Sequence, residues 1–469
     1  MKIFRIAVVL LAGLLLLTAL AIFFFFDINA WKPQLETTVS EALGMVVTIE
    51  GELGIKFMPG LHLTLSNVHV KNRGSELAFI QAADLAIELL PLVQRKIRYG
   101  NIVTRDARIS IERGQNGKYN YERLEANQAF RPLELPKVSF INLMVSYADM
   151  QSGHGFEFKR CDGELTDMHH PGNAPLLRRL SMAGHFACAE VGKKMPIITD
   201  LNFQIAATDG VYDFKSVNMK VFGGLGLGTM RIDRSAEIPA YQIDYTLSKF
   251  RIGEFVRTQP KGKSVSGYMD FSTALSMQGR TRLAMRQSAR GEASLSGANL
   301  TLRGVDLDQQ LLKFESSQNL DLIDMSALLF VGPIGLAATK SYTLFSPDEK
   351  SGRSTTIRTV VSQWKVEKGI AYAKDVALAT NKNRLALHGG LNFVKDEYQN
   401  VVVALLDRSG CAKASQTISG SFSKPVIDQS KILIPINLLL KLVDRAKNFI
   451  SGSDKKCEIF YSGIVTPSN

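Results

Sequence analysis

Cysteine is scarce in this chain, with four in 469 residues, and no two of them form a CxxC pair. That spacing argues against the close-set thiolates of a structural zinc site. Neither GxSxG nor HExxH occurs, so two common hydrolase signatures are missing. The glycines of "FGGLGLGTM" miss the GxGxxG spacing, and no helix follows them to offer its N-terminus to a phosphate, so a tight turn is expected there. "ERGQNGKY" has neither the spacing nor the hydroxyl residue of a P-loop, which leaves Lys118 as a turn residue. His154, Cys161, His169, His170, His185 and Cys188 form the densest cluster of potential metal ligands, yet its two thiols suit a disulfide better in an oxidising compartment. We therefore expect no catalytic residues, no metal and no cofactor, and do not expect an enzyme.

Long uncharged runs are equally rare. The single one is Ile6–Phe26, 21 residues, which is the length a helix needs to cross a hydrocarbon core. A cleavable signal peptide has a shorter apolar region followed by a small-residue processing site. Here the run ends in four phenylalanines, Asp27 and, a turn later, Trp31, a border suited to a membrane interface. An uncleaved anchor is expected. Lys2 and Arg5 precede it, and basic flanks stay cytoplasmic, so the bulk of the chain should be exported. Cys161, Cys188, Cys411 and Cys457 all lie beyond the anchor and allow three disulfide pairings. The simplest joins sequence neighbours, Cys161 to Cys188 and Cys411 to Cys457, each contributing roughly 3 to 4 kcal/mol by the chain-entropy model. Anchor and cysteines together favour a bacterial periplasm, with the protein held in the inner membrane.

Acidic residues are outnumbered, 44 to 56, for a formal charge of +12. The basic residues are scattered, which argues against nucleic acid as a partner. A phospholipid surface fits them better, beside the plainer reading of a solvated basic exterior.

The dominant pattern after residue 45 is alternation with period two, the signature of strands with one apolar face. In "LHLTLSNVHVKN", Leu61, Leu63 and Leu65 share a side, and the phase then slips so that Val68 and Val70 continue it, as at a bulge. "LNFQIAAT" aligns Leu201, Phe203 and Ile205, and "YQIDYTLSKF" aligns Tyr241, Ile243, Tyr245 and Leu247. "YMDFSTALSM" aligns Met269, Phe271, Leu275 and Met277 opposite Asp270, Ser272 and Ser276. About 25 to 30 strands are expected. Three helices are expected besides the anchor. "KPQLETTVSEALG" should end at Gly44, a second should start near Asp308, and "PINLLLKLVDRAKNFISG" carries an amphipathic stripe that would cap the β body.

The segments "DINAWKPQLE", "LGMVVTIEGEL", "MPGLHLTLSNVHVKN", "AADLAIELLPLVQRKI" and "ARISIERGQNGKYNYERL" occur in an order that resembles the N-terminal module of the AsmA family of Gram-negative envelope proteins. Met45 departs from that family's usual Arg, and Tyr121 from its usual Trp. "VFGGLGLGTMRID", "SLSGANLTLRGVDLDQQL", "FVGPIGLAATK" and "GCAKASQTISGSFSKPVID" resemble its later segments. The resemblance implies a mainly β fold in which an elongated, curved antiparallel sheet follows the transmembrane helix, with a few short helices and a C-terminal amphipathic helix. It divides the chain into an anchor at 1–26, an N-terminal module at 27–125, a middle β segment at 126–250, a second β segment at 251–410 and a C-terminal cap at 411–469. It also implies a lipid groove for which Met269, Phe271, Leu275, Met277, Phe203 and Ile205 are candidates. Phospholipid and the inner membrane are the implied partners, with the outer membrane or its assembly proteins beyond. Two functions follow as expectations: conduction of phospholipid that supports outer-membrane lipid homeostasis, or a non-enzymatic assembly and scaffolding role for outer-membrane proteins.

Overall fold

A computed structural model describes residues 28–56, 60–87, 99–121, 133–172, 176–193, 196–258, 265–304, 306–317, 353–431 and 457–467. The expected anchor at 6–26, the C-terminal amphipathic stripe at 435–452 and the "FVGPIGLAATK" segment lie outside these residues. Among the described residues no helix is long and apolar enough to cross a membrane. They contain 21 strands and a few short helices, so the chain is mainly β, and it divides into two compact units, Met1–Pro196 and Ile197–Asn469.

The first unit holds β1 (Val46–Ile49), β2 (Gly54–Lys56), β3 (Leu61–Asn72), β4 (Ser75–Ile87), β5 (Tyr99–Arg113), β6 (Leu133–Asp149), β7 (Gly155–His170) and β8 (Ser181–Gly192). β1 and β2 both pair with β3, and from there each strand pairs with the next. The pairing is antiparallel with one exception that corrects the sequence expectation: β5 and β6 run parallel. Parallel neighbours need a crossover of a dozen or more residues, and 114–132 supplies it. Its first part is the turn expected around Lys118, with Gly114 N–H donating to Lys118 O and Gly117 at a φ of 78°.

Helix α1 (Lys32–Leu43) forms where expected, with Pro in its first turn and Gly44 at a φ of 65° as its C-cap. Glycine reaches that left-handed conformation without the Cβ penalty. Leu35 and Val39 on α1 pack against Val47, Ile49, Leu53 and Val68. A four-residue helix, α2 (Leu176–Arg179), precedes β8.

The phase slip read in β3 recurs from strand to strand. Asn67, Asp106, Asn142 and Arg160 all have φ near +50°, and at each the inward alternation resumes one residue late. Leu65 is thus followed by Val68, Thr104 by Ala107, Phe140 by Leu143, and Phe158 by Cys161. Asn and Asp tolerate this conformation because their short polar side chains bond locally. Asn142 Nδ2 donates to Asp106 Oδ1, and Asn142 N–H to Asp162 Oδ1.

The second unit is a meander of β9 (Pro196–Thr208), β10 (Val211–Val221), β11 (Gly224–Asp233), β12 (Ala240–Arg251), β13 (Val265–Ser266), β14 (Tyr268–Gln278), β15 (Arg290–Arg303), β16 (Ser354–Glu367), β17 (Ile370–Thr380), β18 (Arg384–Asn392), β19 (Glu397–Leu406), β20 (Ala412–Ser421) and β21 (Lys424–Lys431). All its pairings are antiparallel, with β13 and β14 side by side on β15. Three helices interrupt it: α3 (Ile252–Arg257), α4 (Arg282–Ser288) and α5 (Leu307–Ser317). The last of these is the helix expected near Asp308.

Across β16 to β20 both sheet faces are buried. One face carries Val360, Leu378, Leu385, Val403 and Ile418. The other is built from Ala377, Ala379, Ala386 and Ala404, and residues 457–467 lie across it through Tyr461 and Val465. Alanines let this tail lie close to the strands. Cys411–Cys457 fastens it, and Tyr461 Oη donates to Asp375 Oδ1 at 2.6 Å while accepting from Val465 N–H.

Candidate functional site: an uncharged sheet face

The register of β9 to β14 places apolar side chains on one face. Ile243 stands opposite Leu275, Leu247 opposite Phe271, and Ile205 opposite Phe214. Met269, Phe271, Leu275 and Met277 share this face, while Asp270, Ser272 and Ser276 point the other way, as the period-two reading requires. Phe203 and Ile205 on β9, and Tyr241, Ile243, Tyr245 and Leu247 on β12, lie on the same face. No charged residue occupies an inward position on β9, β10, β11, β12 or β14.

Exposure along this face is graded. Phe203, Phe214, Met219, Ile243, Tyr245, Phe271, Leu275 and Met277 are half-buried, whereas the matching positions of β16 to β19 are closed to solvent. α3 and α5 take part in the closed core: Ile252, Leu307 and Leu311 are fully buried and join Leu300, Leu302 and Ile357 there. Met269 is only 1% exposed and belongs to that closed core. Phe271 and Leu275 pack at its margin, with their outer sides uncovered. Side chains of this kind, half-buried side by side, make an open apolar surface, which in a soluble body signals a binding face.

The first unit presents a similar face on β6 to β8. Val145 stands opposite Phe158 and Tyr147 opposite Phe156, while Gly163 leaves room for Phe186. Cys161 and Cys188 face each other across β7 and β8, are buried here and are joined by a disulfide. Their sulfurs are therefore not thiolate ligands, which removes the basis of the His and Cys cluster as a zinc site. Asp407, Cys411 and Cys457 also lie close together, but there too the sulfurs are bonded to each other.

The opposite face of β9 to β14 is largely polar. Lys220 pairs with Asp200 and Arg231 with Asp213. A trough of about 860 Å³ on this side is lined by Asn218, Thr229, Asp244, Thr246, Ser272 and Ser294 among others. Leu227 and Ala274 lie in the same trough, whose Asp244 and Glu292 carboxylates do not suit hydrocarbon. In the first unit, a hydrogen bond from Arg105 holds the Asp84 carboxyl below its usual range against the cost of burial.

Sequence reasoning missed the role of the glycines in "FGGLGLGTM". Only Phe222 and Gly223 form the turn, with φ of 49° and 75°. Gly226 and Gly228 are strand residues on the apolar face, and the Tyr245 ring fills the space they leave. The signal was present as alternate glycines in a strand pattern, which mark a close approach.

The family model described as the AsmA family matches residues 1–137 and 189–348, more than half of the chain. A search of curated proteins finds no match.

Proposed function

Since this chain belongs to the AsmA family, we propose that it binds phospholipid through the uncharged face of β9 to β14, with acyl chains lying against the half-buried side chains. The observation that carries this reading is the complete lack of charge at the inward positions of β9, β10, β11, β12 and β14, combined with the partial exposure of Phe203, Phe214, Ile243, Phe271 and Leu275 among them. A closed sandwich would bury Phe271 and Leu275 as fully as Leu378 and Leu385. Burying one further methylene of an acyl chain contributes about 0.8 kcal/mol, so a few contacts on each strand suffice to hold a lipid. In this reading Ile6–Phe26 anchors the chain in the inner membrane, the body is periplasmic, and the face receives lipid destined for the outer membrane.

The test is site-specific photo-crosslinking in cells. A photoreactive residue at Phe271 or Leu275 should give phospholipid adducts, and one at Ser276, on the opposite face of the same strand, should not. Fractionation of the same cells should recover the chain in the membrane with its first residues retained. Adducts to protein alone at Phe271 and Leu275 would favour the assembly and scaffolding role instead. A soluble chain beginning near Asp27 would remove the anchor.

A further inference from the structure

Tyr245 is one of four hydroxyl-bearing side chains on this otherwise apolar face, with Tyr212, Tyr241 and Thr273. Its ring projects from β12 over β11, in the space left by Gly226 and Gly228. A Cβ at Gly226 would collide with Tyr245 Oη and meet Met219 Cγ at 2.9 Å, and one at Gly228 would stand 3.1 Å from Tyr245 Cδ2. Phe271 lies on its other side, with ring centroids 6.4 Å apart. The glycines thus leave room for the phenol to lie within the face, over β11. Among the described residues nothing hydrogen-bonds its hydroxyl. Thr273, the polar inward residue of β14, is already engaged, donating to Glu292 O. Burial pushes the Tyr245 phenol up to about 12, so it keeps its proton, and with it a donor, at any ordinary pH.

The half-buried hydroxyl still meets water, and a hydrocarbon chain laid over it would take that water away, which is costly unless the incoming molecule supplies an acceptor. We propose that Tyr245 Oη donates a hydrogen bond to a carbonyl oxygen of an ester-linked lipid, making it a specificity-determining residue of this face. An ester carbonyl is the acceptor a glycerolipid carries at the head of its acyl chain, where a molecule otherwise apolar over that length can meet one phenol. Ether-linked chains have no carbonyl, and their ether oxygens are weaker acceptors. The inference rests on the reading that this face holds lipid, and it adds which linkage the face prefers.

The test compares two phospholipids of identical chain length and headgroup, one diester and one diether, titrated against the purified full-length chain and its Tyr245→Phe variant. The ring is retained in the variant, and an unchanged melting temperature verifies its fold. The wild-type chain should prefer the diester by about three- to tenfold, the range of one neutral hydrogen bond. Tyr245→Phe should lose that preference and bind the diether as the wild type does. Equal affinity of the wild type for both lipids, or a preference that survives in the variant, would overturn the inference while leaving lipid binding intact. Failure of the wild type to bind either lipid would overturn both.

Discussion

Tyr461 shows how one hydroxyl fixes the position of a chain terminus. It donates to the Asp375 carboxylate and accepts from Val465 N–H, and the Arg384 guanidinium lies over its ring. Tyr461→Phe should cost about 1.5 to 3 kcal/mol, the range for a hydrogen bond to a charged group, read as a lower denaturant midpoint. Burial, reinforced by Asp375, raises the phenol pKa. The folded state therefore holds this proton more tightly than the unfolded chain. Its stabilisation is complete below the usual tyrosine range near about 10 and is lost as pH rises through that range toward the folded value. The gap between wild type and variant should accordingly shrink between pH 8 and pH 11, and a constant gap would show that the proton is not linked to folding. None of this could be read in the sequence, because Tyr461 follows a segment with no alternation and its partner lies 86 residues earlier. The inward side chains of β14 could be read, since period-two alternation assigns faces directly. Met269 keeps its face but is closed in a core that includes Ile252 and Val256 of α3, a helix too short to leave a helical period in "FRIGEFVRTQ".

The strands differ in how far neighbouring elements cover them, and mutational cost should follow that coverage. Leu311 on α5 is fully buried in the core, so Leu311→Ala should cost about 2 to 5 kcal/mol. Leu275 on β14 is half-buried, and Leu275→Ala should cost about 1 kcal/mol because part of its surface already meets solvent. Equal costs in chemical denaturation would mean that β14 is covered as β16 to β19 are. Hairpins and their turns were legible because Gly, Asn and Asp punctuate the alternation. The parallel pairing of β5 with β6 was not, since alternation is the same in either direction and only the length of 114–132 hints at a crossover. Bulges were legible once, at Asn67. Elsewhere the Asp, Asn or Arg that steps the phase, at Asp106, Asn142 and Arg160, reads as one more polar position.

The chain as a whole combines two units that each carry an apolar sheet face, and family membership, visible in the order of its segments, brings lipid binding into view. Both disulfides join sequence neighbours, the simplest of the three pairings. What the sequence alone could not decide is how far each face is covered, because α3 and α5 on the apolar face and the tail on the alanine face are short or remote in sequence. The measurement that bears most directly on lipid binding at β9 to β14 is native mass spectrometry of the full-length chain purified from cell envelopes. It should be compared with a variant carrying Ile243→Asp and Leu275→Asp, two substitutions on the open part of the face. The wild type should retain phospholipid, and the folded variant should retain markedly less, because two carboxylates lie where hydrocarbon would have to rest. Equal phospholipid on both proteins, or none on the wild type, would contradict lipid binding at this face.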